Sequence, residues 1–171
     1  LASGVNLKVK MQRFDFPQAS GTTSVCHWSS GAADKPVLHW AHANGFNGET
    51  YDPLLAPLAD EFDIYAADAR GHGFTNLPAE PEKMTGWDIY RDDLIPLIEH
   101  LADKAGDKIW LGGHSMGGCA SIMAAAQRPD LVAGLIVADP VIVPSLGAYL
   151  FGLYSRLRNT GGHRLMQMAA K

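Results

Sequence analysis

Cysteine is scarce in this chain. Cys26 and Cys119 are the only two among 171 residues, too few for a disulfide framework or a structural zinc site. Positive charge is not in excess either: 14 Lys and Arg stand against 18 Asp and Glu, a formal net charge of −4. No basic field is therefore available to hold nucleic acid or an anionic membrane. Long hydrophobic runs are also missing. Apolar stretches such as residues 135–138 fall far short of the roughly 20 residues a helical membrane span needs. At Leu1 there is no basic segment followed by an apolar one, so no secretory signal is expected and the default compartment is the cytoplasm. His27, His39, His100 and His163 are scattered without a ligand spacing, and residues 112–118 lack the Lys-Ser/Thr that follows a phosphate-binding loop. Neither a metal nor a cofactor is expected. What remains is an ordinary globular composition, 47% hydrophobic and 19% charged, at a length suited to one domain with a real core.

The patterning divides into two regimes. Leu7, Val9, Met11, Phe14 and Phe16 place their apolar side chains at a spacing that suits a half-buried strand. Residues 17–21 form a turn, and 22–28 and 37–41 read as two further short strands. From there the rhythm becomes strand, glycine loop, helix. Leu54, Leu55, Leu58 and Ala59 fit one helical face, and residues 62–67 make a strand-length apolar run. Thr85 with Asp88 resembles a capping box, opening a helix whose apolar side carries Trp87, Tyr90, Leu94, Leu97, Ile98 and Leu101. Pro96 should kink that helix and Gly106 should stop it. Strands at 108–111 and 135–138 flank a helix at 116–127. Apolar strands alternating with helices predict an α/β domain: a mostly parallel twisted sheet with helices on both faces and an antiparallel N-terminal edge.

The chemistry concentrates in Gly113-His114-Ser115-Met116-Gly117, a G-x-S-x-G sequence. With 18 glycines the pattern should arise by accident only about 0.1 times in this length. A strand precedes it and a helix of small residues follows, in which Gly117, Gly118, Ala120 and Ala124 permit close approach to the sheet. Such a turn pushes the serine hydroxyl out at the carboxyl end of the strand, with the helix N-terminus behind it as a source of amide donors. The competing role for Ser115 is simply to cap that helix.

Three landmarks together make the sequence resemble the α/β-hydrolase fold family over nearly its whole length. Residues 113–117 resemble the nucleophile elbow. Ala41-His42-Ala43-Asn44-Gly45-Phe46 is similar to the family's oxyanion-hole loop. Asp68-Ala69-Arg70-Gly71-His72-Gly73 resembles a loop frequent in the hydrolases and haloperoxidases of this fold. The resemblance implies Ser115 as catalytic nucleophile and the backbone amides of Phe46 and Met116 as oxyanion donors, fixed groups that stabilise developing charge better than reorganising water does. Asp68, Arg70 and His72 read as a structural salt bridge and loop brace. His114 reads as a packing residue and Cys119 as a small buried hydrophobe.

A serine needs a base, and the family order is Ser, then Asp or Glu, then His. Downstream of Ser115 the single histidine is His163, in a stretch that looks like the start of a lid rather than the end of a sheet strand. Asp139, just past the strand at 135–138, is a weak candidate for the acid. That strand would leave an apolar edge if it were the last one, and Leu146, Tyr149, Leu150, Leu153 and Leu157 make a helical stripe with nothing obvious to bury it. The sequence thus reads as the core of such a fold over 1–140, followed by the start of a lid or cap over 141–171. It is expected to be the first part of a longer chain or one piece of a cleaved one, the sheet being completed by a further segment or by a second copy. The expected function is hydrolysis of a small-molecule carboxylic ester through an acyl-enzyme on Ser115, the base and acid lying outside these residues. Two alternatives remain open: C–C bond or peroxidase chemistry on the same fold, and a non-catalytic ligand-binding relative.

Overall fold

The computed structural model describes residues 9–80 and 86–142. Chain contacts group Leu1–Val141 into one compact unit and Ile142–Lys171 into another, and it is the first that is described. Leu7, Thr85, the stripe from Leu146 to Leu157, and His163 lie outside the described residues.

Six strands form one sheet in the order β1-β2-β4-β3-β5-β6. β1 (Gln12–Gln18) and β2 (Gly21–Trp28) make an antiparallel hairpin, and β2 runs antiparallel to β4 (Asp63–Ala67). β3 (Val37–Ala41), β4, β5 (Ile109–His114) and β6 (Val132–Ala138) are mutually parallel. The expected parallel sheet with an antiparallel N-terminal edge is therefore present.

Alternating side chains explain why both faces are covered. Trp28, Leu38, Trp40 and Ile64 pack on one face with Leu55 and Ala59, from the segment between β3 and β4. Val25, Val37, Tyr65, Ile109 and Leu111 pack on the other with Leu94, Leu97, Ile98 and Leu101 of α2 (Asp88–Ala105) and Ala124 of α3 (Met116–Gln127). The four buried α2 side chains each contribute about 1.5–3 kcal/mol by leaving water.

Several boundaries differ from the sequence expectation. The helix expected around Leu54–Ala59 is broken into α1 (Asp52–Leu55) between 3-10 turns at Glu49–Tyr51 and Ala56–Asp60. Pro57 has no N–H for a helical bond, so only Leu55 and Ala59 reach the core while Leu54 and Leu58 are exposed. α2 starts at Asp88 with Trp87 as its N-cap and no side-chain cap hydrogen bond; Thr85 of the expected capping box lies outside the described residues. Its stop is as expected: Gly106 adopts φ 65°, the left-handed conformation open to glycine. Pro96 lies within α2. β5 and β6 are longer than expected, reaching His114 and starting at Val132.

Candidate active site

β5 lies between β3 and the edge strand β6 of the described sheet, and the chain turns at its end directly into α3. Ser115 occupies that turn with φ 51° and ψ −115°, a conformation L-residues rarely adopt and one held only when the surroundings impose it. Two glycines impose it. A Cβ on Gly117 would lie 2.2 Å from the Ala41 carbonyl oxygen and 2.5 Å from that of His42, and one on Gly113 would lie 2.6 Å from the Gly117 carbonyl carbon. Absence of these side chains lets the first turn of α3 press against the ends of β3 and β5.

Ser115 is half-buried and its hydroxyl makes no capping hydrogen bond to α3. Its own N–H donates to the Ala138 carbonyl at 2.9 Å, prolonging the β5–β6 pairing to the turn itself. The Met116 N–H opens α3, where helical geometry provides no acceptor, and it has no partner among the described residues.

The loop after β3 lies beside this turn because Ala41 pairs with Gly113. Its amides are largely committed. Ala43 N–H donates to the Tyr51 hydroxyl at 3.1 Å, Gly45 N–H to His72 Nε2 at 3.1 Å, and Phe46 N–H to the Ala43 carbonyl at 3.1 Å. Phe46, the residue expected to supply an oxyanion donor, thus spends its amide closing a turn. The Asn44 N–H has no partner among the described residues. Peptide planarity explains why. The Ala43 carbonyl also accepts from His42 Nδ1 at 2.8 Å, and in a trans peptide the Asn44 N–H must point the opposite way.

Histidines brace this loop. Burial pushes His42 below the usual imidazole range, against an opposing hydrogen bond to Ala43, and its Nε2 accepts the Ala69 N–H at 2.8 Å. His72 Nε2 lies 3.1 Å from both the Gly45 N–H and Asn44 Oδ1, and its Nδ1 lies 3.0 Å from the Arg70 carbonyl. His39 is fully buried, and burial with the field of His42 lowers it to about 3. Neither of its ring nitrogens has a hydrogen-bond partner, and it lines a cavity of about 40 Å³ with His42, Asp68 and Met116.

Asp68 and Arg70 do not pair with each other. Asp68, fully buried, accepts from Arg13 at 2.8 Å, from Gly48 N–H at 2.8 Å and from Phe74 N–H at 2.9 Å. Arg70 instead grips both carboxylate oxygens of Asp93 on α2, at 2.6 and 2.8 Å. Nothing local in the sequence pointed to Arg13 or Asp93, because each is remote in the chain from its partner. His114 is more than packing: its Nδ1 lies 2.8 Å from the Tyr51 hydroxyl and its ring stacks with Phe46. Cys119 is buried, as expected, with its thiol donating to the Val141 carbonyl at 3.1 Å. Asp139 follows β6 at φ 46° with an exposed side chain. Among the described residues no His, Cys, Asp and Glu cluster could hold a metal, and no helix is long and apolar enough to cross a membrane.

The 1-2-4-3-5-6 sheet with a strained serine between β5 and a helix defines an α/β-hydrolase fold. The family model for serine aminopeptidase, S33 (Hydrolase_4) matches residues 33–167, and the chain belongs to that family of α/β-hydrolases. Among curated relatives, the chain is 38% identical over 106 residues to the 2-(acetamidomethylene)succinate hydrolase of Mesorhizobium japonicum, covering 61% of this chain and 35% of that protein. It is 31% identical over 149 residues to the monoglyceride lipase of Rattus norvegicus, covering 82% of this chain and 48% of the lipase. The crystal structure of E-2-(acetamidomethylene)succinate hydrolase superposes with a TM-score of 0.61 at 30% identity, over 74% of this chain and 43% of that one. The thioesterase domain from the curacin biosynthetic pathway superposes with a TM-score of 0.69 at 21% identity, over 88% and 55%. The chain thus spans about a third to a half of the length of these curated relatives.

Proposed function

We propose that the protein is a serine hydrolase acting on a small carboxylic ester, with Ser115 as nucleophile. The observation that carries this reading is the conformation of Ser115, φ 51° and ψ −115°, with its hydroxyl uncommitted to the helix it precedes. A strained backbone at a glycine-flanked serine is costly, on the order of 1–3 kcal/mol, and has no structural return if the residue were only a cap. The family match and the names of the two curated relatives, both hydrolases, support hydrolysis.

In the proposed mechanism the Ser115 oxygen attacks the ester carbonyl carbon as its proton passes to a histidine base. The carbonyl oxygen takes the negative charge between the Met116 and Asn44 N–H groups. Asn44 replaces Phe46 in this role because the Phe46 amide already bonds to the Ala43 carbonyl. Each such donor is worth about 10²–10³ in rate when it is aimed at the forming oxyanion. Collapse expels the alcohol, which takes the proton back from the base, and leaves an acyl group on Ser115. Water then hydrolyses that ester by the same steps. The base and acid come from outside the described residues.

Covalent labelling of the full-length protein with a fluorophosphonate tests the reading. Wild type should label at Ser115, and Ser115→Ala should not. An unlabelled wild-type protein that also fails to turn over p-nitrophenyl esters overturns it.

A further inference from the structure

Two oxyanion donors are useful only if the distance between them is fixed, and here they come from separate segments. Asn44 belongs to the loop after β3 and Met116 to the start of α3. The β3–β5 ladder joins these strands only as far as Ala41 and Gly113. Beyond that pair, no hydrogen bond among the described residues runs directly between residues 42–48 and residues 113–118. One side chain connects them. The Tyr51 hydroxyl accepts the Ala43 N–H at 3.1 Å and lies 2.8 Å from His114 Nδ1. A phenol oxygen has one proton and two lone pairs, so it bridges the Ala43 N–H and the His114 ring nitrogen in either tautomer of the imidazole.

We infer that Tyr51 is a positioning residue, its hydroxyl setting the spacing between the Asn44 and Met116 amides by tying the peptide before Asn44 to the residue before Ser115. This rests on the hydrolase reading above. The placement of the ring supports it. Tyr51 closes the 3-10 turn at Glu49–Tyr51 and is wedged among Trp40, Phe46 and His114, with ring centroids 5.7, 6.1 and 6.2 Å away. The ring therefore has little freedom, and the hydroxyl is presented to both partners without being reordered in each turnover. Burial raises the phenol above its ordinary range, against the Ala43 hydrogen bond, so it stays a neutral phenol.

The bridge holds the loop by one end of the Ala43 residue while His42 Nδ1 holds the Ala43 carbonyl at the other. The Asn44 amide is thus oriented by His42 and placed by Tyr51. A substrate in its ground state, with little charge on the carbonyl oxygen, gains little from that placement. The tetrahedral adduct gains most, so the loss should fall on kcat rather than on KM.

The experiment uses the full-length protein with three variants: Tyr51→Phe, which removes the hydroxyl and keeps the ring, His114→Phe, which removes the imidazole partner and keeps an aromatic ring, and both together. Each is assayed for kcat and KM on a p-nitrophenyl ester and for inhibition by a trifluoromethyl ketone, which forms a charged adduct on the serine. Tyr51→Phe should lower kcat about 10- to 100-fold, less than outright loss of a donor, with KM within about twofold. It should weaken the ketone by the same factor, and the double variant should lose little more than either single one. Unchanged kcat and ketone affinity in Tyr51→Phe, or fully additive losses in the double variant, overturn the inference while leaving the hydrolase reading intact. A wild-type protein that does not label with fluorophosphonate overturns both.

Discussion

Arg13, on the first strand of the hairpin, donates from Nη1 to the buried Asp68 carboxylate at 2.8 Å across 55 residues of sequence. That carboxylate also receives the Gly48 and Phe74 amides, so one side chain ties together the hairpin, the loop after β3 and the loop after β4. Arg13 further holds Ser24 Oγ and Glu49, and Phe74 lies against its guanidinium at 4.6 Å. Asp68→Ala should cost about 3–5 kcal/mol in urea unfolding, because it strands a half-buried guanidinium and two amides. In that background Arg13→Met should cost much less than it does alone, the mark of a direct interaction.

Gly117→Ala should destabilise the protein by about 3 kcal/mol or more. Its methyl would lie 2.2 Å from the Ala41 carbonyl oxygen, and backbone cannot swing aside as a side chain would. Thermal unfolding measures the loss, and a near-neutral result would mean that α3 is not pressed against the end of β3.

Ser115→Gly should raise stability by about 1 kcal/mol, because glycine accepts φ 51° without strain, while Ser115→Ala should change it little. Chemical denaturation of the two variants side by side provides the comparison. Equal stability of the two would argue that the turn is relaxed.

His39 should make the fold acid-sensitive. Above about pH 6.5 its ring is neutral in both folded and unfolded chains. Below that value the unfolded ring takes a proton, whereas the folded one, lowered to about 3 by burial, does not. Stability from this residue is therefore full above pH 6.5 and is lost progressively as pH falls toward 3. His39→Leu should flatten the decline in urea midpoint between pH 6.5 and 4. His42, lowered chiefly by burial as well, leaves a residual slope of the same sign.

What could be read from the sequence was what is encoded locally. The glycines at 113 and 117 and the serine between them lie within five residues, and the close approach that requires them is built by those same residues. The sheet was legible because its strands are short apolar runs bounded by turns and helices, as in Val37 to Ala41. The site failed to be legible where distant residues decide. Which amide of the loop after β3 stays free depends on the His42 ring fixing the Ala43 carbonyl, and a one-dimensional motif holds no record of that. Asp68 and Arg70, two residues apart, suggested one another, but each found a partner from another element, Arg13 of β1 and Asp93 of α2. The helical spacing of Leu54, Leu55, Leu58 and Ala59 took no account of Pro57, whose missing amide hydrogen breaks the helix there.

The Arg13–Asp68 contact also bears on how the chain reaches its native state. Closing 55 residues by one ion pair, within a sheet where β2 pairs with β4 rather than with its neighbour in sequence β3, makes the contacts non-local and the conformational search slow. During synthesis Arg13 emerges well ahead of the carboxylate it serves, so the hairpin waits at the ribosome with its guanidinium in water. Chaperone dependence and slow refolding from denaturant are the expected costs of assembling the loops around a charge contributed from so far upstream.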